Sequence, residues 1–192
     1  MTATTSGVEG TSAGLVERAA HGDGDAFDVI ARALGDALYR RALAILRHES
    51  DAQDATQDAL IRAWRELPRL NDSSRFDAWL DRILVNACRD RLRRRGRQQL
   101  REIQLAVDGR DAGRLKTHAS DSGPDDGRRV AIEDAFRRLD IDDRTLLVLH
   151  HLEQRPLADI AAVLVIPTGT AKWRLHRARK RLERELEKED RP

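Results

Sequence analysis

Apolar residues recur every three or four positions along most of this chain, and nowhere do they alternate with polar ones over a strand-length run. That period is the helical one. Leu15, Val16 and Ala19 begin a short helix that stops at His21-Gly22-Asp23-Gly24. Asp25 is expected to cap a long helix carrying Phe27, Ile30, Ala31, Leu34, Leu38, Ala42 and Ile45 on one face. A third helix starts at Ser50 or Asp51 and runs to Glu66, before Pro68. The polar loop Arg69 to Arg75 leads to a fourth helix, from Phe76 to about Arg95. Residues 98–127 break the pattern with Asp, Gly, Ser and Pro and read as a linker, with one helical turn around Leu100 to Val107. Helical spacing resumes from Val130 to Leu139, then from a cap at Asp140 or Asp142 to Leu152. The expected fold is all-α: a disordered tail over 1–13, a small helical domain over 14–97, a flexible linker over 98–127 and a second helical domain over 128–189.

Residues 157–182 are the most informative stretch. A short apolar helix meets a turn at Val165-Ile166-Pro167, and a second helix follows, with Ala171, Leu175, Ala178 and Leu182 on one face. Thr168 is expected to cap it, and Gly169 and Thr170 keep its first turn slim enough for backbone N–H groups to approach phosphates. Lys172, Trp173, His176 and Arg177 lie on roughly the opposite side. From Thr168 to Arg184 there are seven Lys or Arg against one Glu. This is the layout of a helix-turn-helix whose second helix enters a DNA groove. The plainer alternative is a solvated basic helix packed on its neighbour.

Composition narrows the class. Of 192 residues, 35% are charged and 4% aromatic, which suits helices and not a β-sandwich. The single cysteine, Cys88, excludes an internal disulfide and a cysteine-based zinc cluster and is expected to sit in the core. No apolar run approaches the roughly 20 residues that span a bilayer, and the first residues do not resemble a secretory signal. A reducing, cytoplasmic setting without membrane insertion is expected. His150, His151 and Glu153 are too close together on one helix to ligate a metal, and His151 is expected to be half-buried. No metal site, cofactor or catalytic residue is expected.

Net charge is only +2, but the charges are segregated. From Asn86 to Arg101 there are seven arginines and one acid, and from Glu49 to Asp58 four acids and no base. Separate cationic and anionic surfaces imply two kinds of partner. Asp51, Asp54 and Asp58 share a helix face with Gln57 beside them, and Ile61 and Trp64 add apolar contacts further along. That face is either a solvated first turn favoured by the helix dipole or a docking surface for a basic partner. On the fourth helix, Arg82, Asn86, Arg89 and Arg93 form a polar stripe beside Phe76 and Trp79. Rings next to arginines suit single-stranded nucleic acid, in which bases stack and phosphates pair. Phe76 reads better as core, and Trp79 is open between core and stacking. Arg91 to Arg97 read as phosphate-facing, because so little acid lies near them in the chain.

In this order, the stretches LVERAAHGDGDAFDVIARAL, DAQDATQDALIRAWREL, FDAWLDRILVNACRDRLRRR and IPTGTAKWRLHRARKRL resemble the bacterial sigma-70 family, specifically its group IV, or extracytoplasmic-function, class. The resemblance implies a region 2 four-helix domain and a region 4 helix-turn-helix domain. It implies a non-catalytic subunit that binds core RNA polymerase, recognises −35 and −10 promoter elements and promotes melting. Asp51, Asp54, Gln57, Asp58 and Ile61 would then grip the β′ clamp helices. Leu70, Asn71, Asp72 and Ser73 in the loop, with Trp79, Arg82, Asn86, Arg89 and Arg93, would hold the opened −10 strand, a base flipped into the loop. Thr168, Gly169, Thr170, Lys172, Trp173, His176 and Arg177 would read the −35 duplex. The helix around Leu146 to Leu152 would meet the β flap, and an anti-sigma factor is expected as a further partner.

Three departures from that pattern stand out. Val165 occupies a turn position where glycine is usual, Ala171 replaces a larger valine, and Trp173 replaces a small residue at a −35-reading position. The competing reading is a free-standing helix-turn-helix regulator with the first block as a sensor, but that block shows neither a ligand pocket nor a phospho-acceptor strand. An enzyme has no motif behind it.

Overall fold

The computed structural model describes residues 13–108 and 132–189; the side chains of 99, 102–108, 188 and 189 are excepted. Helices account for its regular structure, and there is no strand among the described residues. The amino-terminal half holds α1 (Ala13–Ala20), α2 (Gly24–Leu46), α3 (Glu49–Glu66) and α4 (Phe76–Asp108). The carboxyl-terminal half holds α5 (132–137), α6 (Ile141–Leu147) running into a π-helical turn (Val148–Leu152), α7 (Leu157–Leu164) and α8 (Thr168–Glu189).

Local chemistry sets the helix ends. Asp23, not Asp25, caps α2: its carboxylate accepts the Ala26 N–H at 3.0 Å, and that bond with Arg18 holds its pKa below the ordinary carboxylate value. The His48 imidazole caps α3, so that helix starts slightly before Ser50. Thr168 is not the cap of α8. It lies inside the helix, and the Pro167 carbonyl accepts the first helical bond, from Ala171 N–H at 3.0 Å. Asp140 caps α6, accepting from Asp143 N–H. Helix α4 does not stop near Arg95 but continues to Asp108, into the stretch read as linker. The rest of that linker lies outside the described residues, as does the tail expected over 1–13 except for Ala13, which already begins α1.

Helix α3 buries Ala52, Ala55, Thr56, Ala59 and Ala63. A face of small side chains lets α2 and α4 approach closely, and Ile30, Leu34, Leu38, Ile45, Leu80 and Leu84 fill the space between them. Phe76 is buried here, as its spacing suggested, and Trp79 is half-buried with its ring 5.8 Å from that of Phe76. Cys88 lies wholly in this core, where burial pushes its thiol pKa up to about 12. A second core gathers Leu139, Leu146, Leu149, Ile160, Leu164, Ala171, Leu175 and Ala178.

The two halves do not hang apart. Val85 of α4 is fully buried in the second core, Val148 belongs to the first, and Phe136 packs against both. Where they meet, Asp81 is 2% exposed and accepts hydrogen bonds from Arg41 of α2 and Arg155 of the loop before α7. Arg41 also donates to Glu153 at 2.5 Å.

Candidate nucleic-acid interface

Helix α8 buries Ala171, Leu175 and Ala178 against α6 and α7. Its outer ridge is Gly169, Trp173, His176 and Lys180, spaced four, three and four apart and all exposed. Trp173 is 58% exposed although it is the bulkiest side chain on the helix. Thr168 and Lys172 are exposed and Thr170 is half-buried. Arg177 is held differently. Its guanidinium lies 4.9 Å from the Trp173 ring centroid and donates at 3.1 Å to Asp143, whose side chain has no exposed surface. It therefore splints the indole as much as it offers a charge to solvent. Lys180 and Arg184 extend the exposed ridge by one and two turns and were absent from the expected set, although the same spacing reaches them.

The turn before α8 carries the strain expected at a non-glycine position. Val165 has φ 56° and ψ 49°, the left-handed region, and its N–H closes α7 on the Ala161 and Ala162 carbonyls. A β-branched side chain there costs roughly 1–2 kcal/mol. Val165 is 68% exposed, so little burial offsets that cost. Val165→Gly is therefore expected to stabilise the protein by about 1 kcal/mol and raise Tm by about 2–4 °C in a thermal melt. A lowered Tm would show that the valine side chain contributes packing that outweighs the strain.

The loop set is ordered by one carboxylate. Asp72 caps the 3₁₀ turn Ser73–Arg75 and accepts from Ser74 N–H at 3.0 Å and Ser74 Oγ at 2.6 Å; these bonds hold its pKa below the ordinary value. Asn71 and Asp72 are exposed, Ser73 is half-buried, and Leu70 packs against the first core. On α4, Arg82, Asn86 and Arg93 face outward, and Arg82 has no ion-pair partner among the described residues. Arg89 is engaged instead: it donates to Asn86 at 2.8 Å and to Asp142 of α6 at 2.9 Å.

The acidic face of α3 is not an open anionic patch. Arg91 reaches across from α4 to Asp54 and Asp58, both at 2.7 Å, and Arg95 reaches Asp51 at 3.2 Å. The expectation that little acid neutralises Arg91 to Arg97 is corrected at these two positions. The acids are distant in sequence and adjacent in space. The exposed residues along the middle of α3 include Gln53, Gln57, Ile61 and Trp64, with Ile61 42% exposed. His151 is exposed, not half-buried, and its Nε2 accepts from Arg179 at 2.9 Å; His150 is the half-buried one of the pair. Among the described residues no cluster of His, Cys, Asp or Glu is arranged to hold a metal ion, and no helix is long and apolar enough to cross a membrane.

Comparison with known proteins gives two family matches, Sigma-70 region 2 over residues 30–98 and Sigma-70, region 4 over residues 129–182. The chain is 33% identical to the ECF RNA polymerase sigma factor SigM of Mycobacterium tuberculosis (strain Erdman), over 93% of this chain and 86% of that protein. It is 28% identical to the ECF RNA polymerase sigma factor SigW of Bacillus subtilis, over 89% and 94% of the two. Among solved structures it is similar to the sigma factor RpoE of Bartonella quintana, crystallised with the anti-sigma factor NepR. That match has a TM-score of 0.58 and 30% identity, covering 86% of this chain and 98% of that one. It is also similar to CnrH in complex with the cytosolic domain of CnrY, with a TM-score of 0.61, 27% identity, and 92% and 97% coverage.

Proposed function

The chain belongs to the sigma-70 family of RNA polymerase sigma factors, in its extracytoplasmic-function class, and from that premise we propose how its surfaces divide the work of promoter-directed initiation. The outer ridge of α8 enters the major groove of the −35 element. The Asp72-ordered loop and the Trp79, Arg82 and Asn86 face of α4 hold the opened −10 strand. The exposed Gln57 and Ile61 face of α3 docks on the β′ clamp helices of core polymerase, and α6 with its π-helical turn meets the β flap. The chain supplies recognition and melting, and the polymerase supplies the chemistry. The supporting observation is the pair of family matches in order on one chain, one half exposing Arg82 and Asn86 on α4 and the other exposing the outer ridge of α8. Mixing the protein with sigma-free bacterial core polymerase and transcribing from a genomic promoter library tests this. Absence of a stable complex with core would sink it.

Trp173 is the position at which −35 preference is expected to be particular to this chain. An indole braced by Arg177 presents a rigid apolar surface to a groove whose apolar feature is the thymine methyl. Trp173→Ser is expected to reorder −35 sequences, with individual sites changing by about 1–3 kcal/mol. Lys172→Ala is expected to weaken all sites alike and lower the salt slope by about one. Binding to a −35 library at several salt concentrations separates the two. An unchanged ranking for Trp173→Ser makes the indole a packing residue.

An anti-sigma factor is the further partner. The groove of about 400 Å³ between the end of α2, α5, the π-helical turn and α8, lined by Ala44, Ile132, Phe136, Leu152 and Leu182, is a seat for an apolar helix of such an inhibitor. Affinity capture from the native cell, with Leu152→Asp as the control that should lose the inhibitor, tests that assignment.

A further inference from the structure

Trp173 belongs to neither core and stands exposed on the outer ridge of α8. A side chain so placed hops between rotamers in picoseconds to nanoseconds. Favouring one base over another needs the ring in one place before the groove closes on it. Among the described residues, the single group stacked on the indole is the guanidinium of Arg177, one turn further along the same helix. What holds Trp173 is therefore whatever holds Arg177.

Arg177 is held by the start of α6. Asp140 caps that helix by accepting the Asp143 N–H at 2.9 Å, which fixes the turn that carries the Asp143 carboxylate. The Asp143 side chain has no exposed surface, so water does not compete for it. Arg177 Nη2 donates to its Oδ1 at 3.1 Å and reaches its Oδ2 at 3.5 Å, and Arg181 Nη1 donates to Oδ2 at 3.3 Å. Both carboxylate oxygens are thus taken by arginines of α8. Asp140 lies 3.8 Å from the same Arg177 nitrogen and adds charge without a hydrogen bond. Arg177 Nε is buried and has no hydrogen-bond partner. An unconstrained guanidinium turns Nε and an Nη together onto one carboxylate or phosphate, or into water. Here it leaves one donor unused in order to lie on the indole and reach Asp143 at once, a pose that ring and carboxylate impose jointly.

Building on the functional reading above, we propose that Asp143 is a positioning residue for −35 specificity. Acting through Arg177, this buried carboxylate of α6 fixes the Trp173 ring and so shapes sequence choice without touching DNA. The line runs from Asp143 to Arg177 over 3.1 Å and from Arg177 to the indole centroid over 4.9 Å. Asp143→Asn keeps the shape of the side chain but removes the charge and replaces one oxygen by an N–H donor. A donor then faces a guanidinium that can only donate. Arg177 is released to water or to a DNA phosphate, and the indole loses its brace.

The test uses the full chain carrying Asp143→Asn, Trp173→Ser or both. Without DNA, the Trp173 indole N–H is followed by NMR relaxation, its signal assigned by its loss in Trp173→Ser. Its order parameter is expected near the roughly 0.85 of rigid structure in the unaltered chain and below about 0.6 in Asp143→Asn. In holoenzyme rebuilt with core polymerase, Asp143→Asn is expected to compress the spread of affinities across a −35 library about three- to thirtyfold. In the Trp173→Ser background it is expected to change the ranking no further, because the ring it acts on is gone. Should urea unfolding show that Asp143→Asn does not fold, Arg177→Lys takes its place. The ammonium keeps a charge for Asp143 but has no plane to lay on the indole, and the same results are expected. An unchanged order parameter overturns the brace. Equal weakening of every −35 site, repeated in the Trp173→Ser background, makes Asp143 a residue of helix packing alone and overturns its role in specificity. If the unaltered chain binds neither core polymerase nor −35 duplex, the functional reading has failed instead, and the order parameter still decides whether Asp143 holds Trp173.

Discussion

Reversing the charge of Asp54 and Asp58 together, to lysine, is expected to lower stability by about 2–4 kcal/mol and not only to weaken binding to polymerase. The two carboxylates are the partners of Arg91, whose side chain is 19% exposed and whose Nε has no hydrogen-bond partner. Two lysines in their place would put three cations against one another on the closely packed α3 and α4 surface. Breaking a buried pair costs about 3–5 kcal/mol, and the partial exposure of both acids lowers that figure. In urea the midpoint should fall by about 1–2 M at an unchanged slope. An unmoved midpoint would mean that Arg91 finds water as easily as it finds the acids. The carboxylates would then be free for a partner, as the linear sequence suggests.

Ile61→Arg is expected to do the opposite. The isoleucine is 42% exposed on the outward face of α3 and anchors nothing in the first core, so the stability read from urea unfolding should stay within about 0.5 kcal/mol of the unaltered chain. Binding to core polymerase should weaken about 30-fold to 1,000-fold, the 2–4 kcal/mol that an apolar anchor contributes at the centre of an interface. Read together in equilibrium binding and urea unfolding, the two variants separate the residues that hold α3 on α4 from those that hold α3 on a partner. Retained affinity in Ile61→Arg would move the docking surface off this face.

These two results bear on how the candidate site was legible in the chain. The α8 ridge was readable because a helix's outer face follows from its period alone. Trp173, His176 and Lys172 are exposed where spacing placed them. The Val165 strain was readable for a similar reason, since a tight turn imposes its backbone angles on whatever residue stands there. The acidic and basic segments pair with each other in space, which charge along the chain does not reveal. Asp54 and Arg91 are 37 positions apart and 2.7 Å apart. Spacing makes Asp140 or Asp142 a cap, and Asp140 is one, but the ion-pair partners of Asp140, Asp142 and Asp143 come from α4 and α8. Asp81, Arg41, Glu153 and Arg155 gave no signal at all, because an isolated charge on a helical repeat looks solvated.

What the sequence determined by itself was therefore everything with a local cause: the helices, their alanine and leucine faces, the strained turn, the order of parts that assigns the family, and the solvent face of α8. What only the tertiary structure decided was the state of the charges and the relation of the two halves. The physical reason is range. Helical period and turn geometry act over a few residues of one segment. Coulombic pairing depends on distance in space and on burial, and both are set only when α3 has packed on α4 and α6 has come to lie between α4 and α8.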